Sequence, residues 1–455
     1  MDRRPTVAVI GAGFSGVMTA LNLLNDADGP RVRLIERRAR FGLGAAYQTT
    51  NPDHLLNVRA ANMSAYPDQP HHFLTWLGAQ GQRAAAHTFV SRAIYGAYLQ
   101  SLLKTAAEGP RAAGRLILEG DEATAVRRDG AGWALSMAVG RVHKVDALVL
   151  ALGNLAPHGP PALSPDALAS PRYVADPWAW SAEEAPGTGT AVLLGSGLTM
   201  VDVALTLAAR KPDLKLVALS RRGLLPRRHM ETGPAPAEQS PDIRTFRNLL
   251  RHVRSQSAVR DWRCVIDGLR PYVQSVWRNW PEAERQRFLR HGRIWWDIHR
   301  HRLAPSVASQ LDHLAGSGRL RTLAGRLQDC AEVGEDLLLR YAPRGRTLVS
   351  EIKADLVVNC TGPNGDLAKS KDAILASLLV QGLIRPDACR LGVEVDSASR
   401  LLDHKGDVNP RLFAVGPITR GAFWEITSVP DIRLQARDCA ASVISALTDA
   451  PAPVS

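Results

Sequence analysis

Two short glycine clusters hold the residue types in this chain best suited to chemistry. In the first, Gly11-x-Gly13-x-x-Gly16 follows the apolar run 7–10, and a helical pattern (Val17, Ala20, Leu21, Leu24) follows the glycines. A second apolar run, 32–35, ends in Glu36, twenty positions beyond Gly16. The first glycine permits a tight turn, the second lets backbone approach a pyrophosphate, and the third lets the helix pack close to its sheet. The helix start and its dipole favour phosphate charge. Glu36 accepts hydrogen bonds from ribose hydroxyls and repels a 2′-phosphate, which indicates FAD or NAD rather than NADP.

The second cluster, Gly195-Ser196-Gly197-Leu198-Thr199, again lies between an apolar run and a helical pattern over 201–209. The next strand pattern ends at Ser220, twenty beyond Met200, so no acid occupies the ribose-reading position. Arg221 and Arg222 follow, and guanidinium groups grip a 2′-phosphate bidentately. The second nucleotide is therefore expected to be NADPH. Met200 replaces the third glycine, which predicts a helix standing further from its sheet.

The elements that position these turns form one pattern written twice. Strand patterns over 116–118, 123–127, 133–139 and 142–150 lead to the buried run Asp146-Ala-Leu-Val-Leu-Ala-Leu-Gly153. After the second turn, strand patterns over 320–323, 337–341 and 347–352 lead to its echo, Asp355-Leu-Val-Val-Asn-Cys-Thr-Gly362. A linker with five prolines, 157–171, separates the copies, and 226–241 is also proline-rich. The last quarter adds a buried strand ending in Gly416 and a helix over 431–447 preceded by Pro430. The expected fold is α/β: two Rossmann-like dinucleotide-binding domains with β-meander inserts and an Arg/Trp-rich helical insertion in the second. Boundaries are expected at 1–165 and 356–455 for the two parts of the first domain, and 172–355 for the second, with the insertion at about 235–315.

With 455 residues, 45% hydrophobic and 22% charged, the chain reads as a globular enzyme of two or three domains. No run is long and apolar enough to span a bilayer, and a cytoplasmic location is expected. The five cysteines include no C-x-x-C pair, so neither a metal site nor a dithiol redox centre is expected. The net charge of +12 is concentrated: residues 221–302 hold eighteen arginines, no lysine and eight acids, together with five of the ten tryptophans. Without an accompanying nucleic-acid motif, this stretch reads as a helical insertion with solvated arginines and core tryptophans, or as a ligand-facing surface. Nucleic acid is not expected as a partner.

The arrangement resembles the two-dinucleotide-binding-domain flavoproteins over nearly the whole chain. Phe41-Gly-Leu-Gly-Ala-Ala-Tyr47, His54-Leu-Leu-Asn57, Gly195-Ser-Gly-Leu-Thr199, Trp296-Asp-Ile-His-Arg-His-Arg302 and Trp424-Glu425 resemble a bacterial family of FAD/NAD(P)-binding oxidoreductases related to the class B flavin monooxygenases. The resemblance implies FAD on the first unit, along Gly11, Gly13, Phe14, Ser15, Gly16, Glu36, Arg37, Ala45, Ala46, Asn57, Met63, Gly153, Gly416 and Pro430. It implies a nicotinamide coenzyme on the second, along Gly195 to Thr199, Arg221, Arg222 and Gly362. The loop polar groups at 51–58 and 62–64 suit a flavin-facing role or a turn-and-cap role equally, and His54 reads as a satisfied turn residue. The sequence departs from the flavoprotein pattern in two places. Gly416-Pro417 stands where these proteins carry Gly-Asp, and the Baeyer–Villiger fingerprint is missing before the second turn.

The functional expectation is an NADPH-dependent FAD enzyme, most simply a single-component monooxygenase in which oxygen adds at the flavin C4a position. The protein then orients the groups and excludes water. A dehydrogenase passing electrons to a quinone or protein, and a nucleotide-binding redox sensor, are the alternatives. His299, Arg300 and Arg302 are the candidates for an anionic small-molecule substrate or the NADPH phosphates, although the arginines also suit helix carboxylates. Trp424, Glu425 and Asn57 are flavin-side candidates, with core packing and capping as the structural alternative.

Overall fold

The computed structural model describes residues 4–82, 84–231 and 242–448. Part of the proline-rich stretch expected at 226–241 thus lies outside the described residues. In the first unit, β1 (Thr6–Ile10), β2 (Arg31–Ile35) and β3 (Leu116–Glu119) run parallel, and β4 (Ala123–Asp129), β5 (Gly132–Met137) and β6 (Val142–Val145) form a separate antiparallel meander. Strand β7 (Ala147–Leu150) returns beside β1. The pattern read as one strand over 142–150 is therefore two, divided at Asp146 and belonging to different sheets.

The second sheet is built from β8 (Tyr173–Val174), β9 (Thr190–Leu194), β10 (Lys215–Ser220), β11 (Leu320–Val333), β12 (Asp336–Pro343), β13 (Ser350–Ala354) and β14 (Leu356–Asn359), in the order β13-β12-β11-β10-β9-β14-β8. Because β14 pairs with β9, this sheet runs past the boundary expected at 355. The long β11 is parallel to β10 in its first half and antiparallel to β12 in its second, so this meander continues its sheet. Strands β15 (Arg400–Leu402) and β16 (Val408–Ala414) then return to the first unit, giving the order β15-β16-β7-β1-β2-β3.

The helices that matter for the site are α1 (Phe14–Asn25), α2 (Gly44–Tyr47), α3 (His72–Ala79), α4 (Arg92–Glu108), α5 (Pro165–Ala169) and α6 (Leu198–Arg210). The insertion contributes α7 (Phe246–Ser257), α8 (Trp262–Gly268), α9 (Val273–Asn279), α10 (Glu282–His291) and α11 (Arg293–Arg300). Its core holds Trp277, Trp280, Phe288 and Trp296, joined by Trp424 from the last quarter. The next helix, α12 (Pro305–Gly316), does not belong to this cluster. Its Val307, Leu311 and Leu314 pack with α6 and β10, so it is the crossover between β10 and β11 and shortens the insertion expected to reach 315. Helices α13 (Ala373–Val380) and α14 (Val429–Thr448) complete the first unit, with Ile432, Ala436 and Val443 of α14 in its core.

Two aspartates fix the start of each unit in the same way. Thr6 N donates to an Asp146 carboxylate oxygen at 2.7 Å while Asp146 N donates to the Thr6 carbonyl. Thr190 N and Asp355 repeat both bonds, the first at 2.8 Å.

Candidate active site at the carboxyl ends of both sheets

The two turns superpose in their internal bonding. Gly11 N donates to Ile35 O at 2.9 Å and Gly195 N donates to Leu219 O at 2.8 Å, which aligns Glu36 with Ser220. Gly11 (φ +99°) and Gly195 (φ +120°) are required by the chain itself: a Cβ would stand 2.4 Å from Ala151 O and 2.3 Å from Cys360 O respectively. The middle glycines are different. Gly13 and Gly197 have ordinary φ of −73° and −86°, and a Cβ on Gly197 would meet nothing within 4 Å. The protein's own packing gives no reason for glycine there, whereas close approach of a pyrophosphate does. Neither α1 nor α6 has a side-chain cap, so their first-turn N–H groups are left for a ligand. The residues present thus fit two dinucleotides.

The rims differ. Glu36 is tied to the first turn, its two oxygens accepting from Ala12 N at 3.0 Å and Arg38 N at 3.2 Å. In the second turn Ser196 Oγ lies 2.8 Å from Ser220 Oγ and donates to Leu224 O at 2.7 Å. Arg221 is exposed and Arg222 lies over the Trp295 ring at 5.7 Å. At the third motif position, a Cβ on Gly16 would stand 1.8 Å from Gly11 O. Met200 places a whole side chain at the equivalent position and is fully buried, while the first helical bond is the same in both turns, Val17 N to Gly13 O at 3.0 Å and Val201 N to Gly197 O at 3.2 Å.

The remaining first-unit candidates divide. Gly44 crosses Gly13 so closely that a Cβ on it would lie 3.1 Å from the Gly13 Cα, with Ala45 and Ala46 exposed beside it. Gly416 (φ +79°) packs on Ser15, and Phe14 is buried. Arg37 is half-exposed, 3.8 Å from Glu122 and from Asp372. Met63 is a core residue and Pro430 is buried at the start of α14. Gly153 (φ +70°) and Gly362 (φ +86°) end the two return segments with open space around them. Where the Gly-Asp aspartate is missing, Gln435 of α14 organises the loop: its Oε1 accepts from Gly416 N at 2.8 Å and its Nε2 donates to Thr419 Oγ1 at 2.9 Å. Sequence reasoning did not find this residue, which is an unremarkable polar position on a helix.

Loops of the first unit hold the second. His54 sits with Nδ1 2.7 Å from Thr49 Oγ1 and Nε2 2.8 Å from Thr206 Oγ1, and burial pushes its pKa down. It is satisfied, as expected, but by α6 of the other unit. Beside it Arg92 of α4 pairs with Asp202 of α6 at 2.7 Å, both largely buried. Asn57, a flavin-side candidate, offers its carbonyl to His229 Nε2 at 3.1 Å. Burial, with Arg302 and other cations nearby, pushes His229 down to about 3.

The helical insertion places the substrate candidates away from open solvent. Arg302 is 2% exposed and bonded to Asp267, and Arg300 pairs with Glu425 at 3.0 Å. Both guanidiniums therefore hold carboxylates, the second of the two roles their sequence allows. His299 bonds to Trp295 O at 2.7 Å and meets the Trp262 ring edge-on; burial holds its pKa down. Trp424 is stacked on Trp277 at 4.7 Å in the insertion core. Glu425 adopts φ +71°, rare for a non-glycine residue, and is surrounded by cations. Trp296 Nε1 donates to it at 2.8 Å and His301 Nε2 lies 3.6 Å away. Burial alone would raise this carboxyl, but His301, Arg300, Trp296 and Arg420 outweigh it and hold the group below its ordinary value. Arg293, Asp297 and Arg300 are spaced four and three apart on α11, so they share one face. That periodicity was the available signal for this cluster.

Residues from both units meet at the carboxyl ends of β7, β14 and β16, where ligands bind in open α/β sheets. Gly153, Asn154, Pro363, Asn364 and Pro417 line one pocket there, covered by Arg293 and Arg420. Leu155 and Asn364 form an antiparallel bridge, so the two connections between units run side by side at this point. No described helix is long and apolar enough to cross a membrane.

Comparison with known proteins agrees with this geometry. Curated relatives include an uncharacterized protein of Mycobacterium tuberculosis, 28% identical over 145 residues. That match covers 30% of this chain and 26% of the relative, so the chain spans about a quarter of the length of the curated relatives it matches. Among solved structures, the ornithine N-hydroxylase of Kutzneria sp. 744, determined with reduced FAD, NADP+ and L-ornithine, aligns with TM-score 0.67 at 14% identity, covering 97% of this chain and 99% of that one. The L-lysine 6-monooxygenase of Pseudomonas syringae aligns with TM-score 0.64 at 17% identity over 98% and 100%. A T. acidophilum thioredoxin reductase aligns at 0.52 and 12% identity over 98% and 99%. Residues 8–155 match the family described as FAD-NAD(P)-binding, and the chain as a whole has the fold of the two-dinucleotide-binding-domain flavoproteins.

Proposed function

We propose that this chain is an FAD- and NADPH-dependent oxidoreductase, a single-component monooxygenase acting on a small molecule. The observation that carries the reading is the pair of uncapped, glycine-started helices whose rims differ in charge, carboxylate at Glu36 and guanidinium at Arg221 and Arg222. FAD, when bound, supplies hydride acceptance from a nicotinamide and the activation of oxygen. Gly13, Phe14 and Ser15 would hold its pyrophosphate through backbone N–H groups, and Glu36 its adenosine ribose. Gly197, Leu198 and Thr199 would hold the second pyrophosphate, while Arg221 and Arg222 grip the 2′-phosphate bidentately. The positive end of α14, at Val429 and Pro430, would favour negative charge on the reduced ring. The insertion, with Trp296 and Trp424 packed against Glu425, would exclude water from the reacting centre.

The similarity to amine hydroxylases supports oxygenation over dithiol exchange, for which the sequence has no C-x-x-C pair. The test is direct. Purified protein should be yellow, and NADPH should bleach it faster than NADH. Mixing the reduced protein with oxygen should restore the oxidised spectrum in two phases. A single-phase return, accelerated by a quinone, would favour electron transfer instead.

A further inference from the structure

We propose that the pocket at the junction of the two units is a substrate subsite for a carboxylate, gripped by Arg420 and Arg293. The proposal rests on the reading of the chain as a flavoprotein, because the pocket lies among the strand ends where two bound nucleotides would meet. Its walls are Gly153 and Asn154 from one return, Asn364 from the other and Gly392 from the last quarter. Among the described residues no carboxylate lines it, and the two guanidiniums are the only charged groups that do.

Arg420 is the unusual member. Its guanidinium lies 4.4 Å from the centroid of Trp424, and its Nε is buried without a hydrogen-bond partner. A buried donor left unpaired is costly, and more so when it is charged. Burial and then the neighbouring Arg293 push Arg420 down to about 10, against the opposing pull of Asp297 and Glu425. The nearby carboxylates are both ion-paired, although the buried Asp297 Oδ1 accepts no hydrogen bond. Glu425 is held by Arg300, His301 and Trp296, and Asp297 lies 3.4 Å from Arg293. Burial pushes His301 toward its neutral form against the pull of Glu425 and Asp297, and cations are in excess in either form. The cluster therefore holds three guanidiniums, Arg293, Arg300 and Arg420, against two carboxylates, which leaves one positive charge unmatched beside an open polar pocket. A single carboxylate restores the balance and provides the acceptor that Arg420 lacks. The nucleotide phosphates have other places to bind, at the starts of α1 and α6 and at Arg221 and Arg222.

Calorimetric titration of the full-length, FAD-loaded protein with benzoate, and with benzamide as its uncharged counterpart, tests the subsite. Benzoate should bind saturably at one site and benzamide at least about tenfold more weakly. R420Q and R293Q should each weaken benzoate roughly ten- to a hundredfold, with FAD content and the rate of flavin reduction by NADPH unchanged. Arg293 is 38% exposed, so R293Q gives a readout even where R420Q lowers the unfolding midpoint. Equal binding of the two probes, or benzoate binding untouched by both variants, would overturn the proposal. So would loss of FAD or a raised KM for NADPH in place of weakened benzoate binding, which would assign the guanidiniums to a coenzyme phosphate. A protein that takes up no FAD would sink the flavoprotein reading alone, because the same titration of the flavin-free protein still reports on the pocket.

Discussion

The first and second glycine turns share a backbone and differ in almost every side chain that a nucleotide would touch. Both begin with a positive-φ glycine pressed against the return strand, and both start a helix with an uncapped glycine. Yet the position of Glu36 is taken by Ser220 in the second turn, that of Ala12 by Ser196, and that of Gly16 by Met200. The shared features are those that shape the turn and leave N–H groups free, and they bind any pyrophosphate. The differing features choose which nucleotide sits there and how tightly the helix seats. A duplicated unit thus keeps its phosphate chemistry while its specificity residues diverge. The two meanders diverge as well, one detached from its sheet and the other continuous with it through β11.

The largest effect is expected at the third motif position. G16A forces a methyl to within 1.8 Å of a backbone oxygen that belongs to the turn itself. Neither helix nor turn can yield cheaply, so the variant should be recovered with little or no flavin and a loss of stability on the order of 3 kcal/mol or more. M200A instead empties a buried site, at a cost of about 2–5 kcal/mol, and should leave flavin content per folded molecule unchanged. The ratio of flavin to protein absorbance, together with denaturant unfolding, separates the two. Equal flavin loss in both variants would break the distinction between the turns.

A second comparison concerns what joins the units. D202N leaves Arg92 buried without its charge partner, which costs about 3 kcal/mol in comparable cases. Because Asp202 lies on α6 and Arg92 on α4, the loss should appear as earlier unfolding of the second unit, visible as a separate transition. A single unshifted transition would show that the pair does not couple the units. Specificity variants should be milder. R221A/R222A should reduce the preference for NADPH over NADH roughly ten- to a hundredfold without changing flavin content. Adding S220E, which recreates the first turn's carboxylate in the second, should carry the preference further toward NADH. Unchanged coenzyme preference in both would remove Arg221 and Arg222 from the site.

The turns, the duplicated pattern and the return strands were legible because each rests on local rules: glycine where φ is positive, a buried apolar run, and an aspartate before each return. The echo of Asp146 by Asp355 proved to be a repeated hydrogen bond to the first strand of each unit. What escaped the sequence depends on residues far apart in the chain. Arg92 meets Asp202, Gln435 meets Gly416, and Arg420 meets Arg293 only once the chain has folded. The arginine-rich stretch shows the same limit. Its composition allows solvated arginines around core tryptophans or a ligand-facing surface, whereas Arg300 and Arg302 are taken up by Glu425 and Asp267, and Arg293 lines the junction pocket with Arg420 from outside the stretch. The division of β6 from β7 was hidden because Asp146 interrupts the apolar pattern by one residue, while the sheet changes completely there.

The smallest expected effect sharpens the view of the junction. His229 follows β10 in the second unit and donates from Nε2 to the Asn57 carbonyl of the first, so it must stay neutral at Nδ1 to remain buried beside Arg302, Arg59 and Arg300. Its folded pKa of about 3 lies below the ordinary 6.5, so the unfolded chain takes up the proton first as pH falls. The stabilisation is complete above pH 6.5 and is lost progressively down to about pH 3. At about pH 5.5 the loss should be roughly 1 kcal/mol, read as a lower urea midpoint at constant slope. H229Q keeps a donor for Asn57 but cannot titrate, so its stability should vary less with pH over this window. If wild type and H229Q decline in parallel from pH 6.5, the acid sensitivity belongs to another group, with His54, also held down by burial at the same junction, the next to replace.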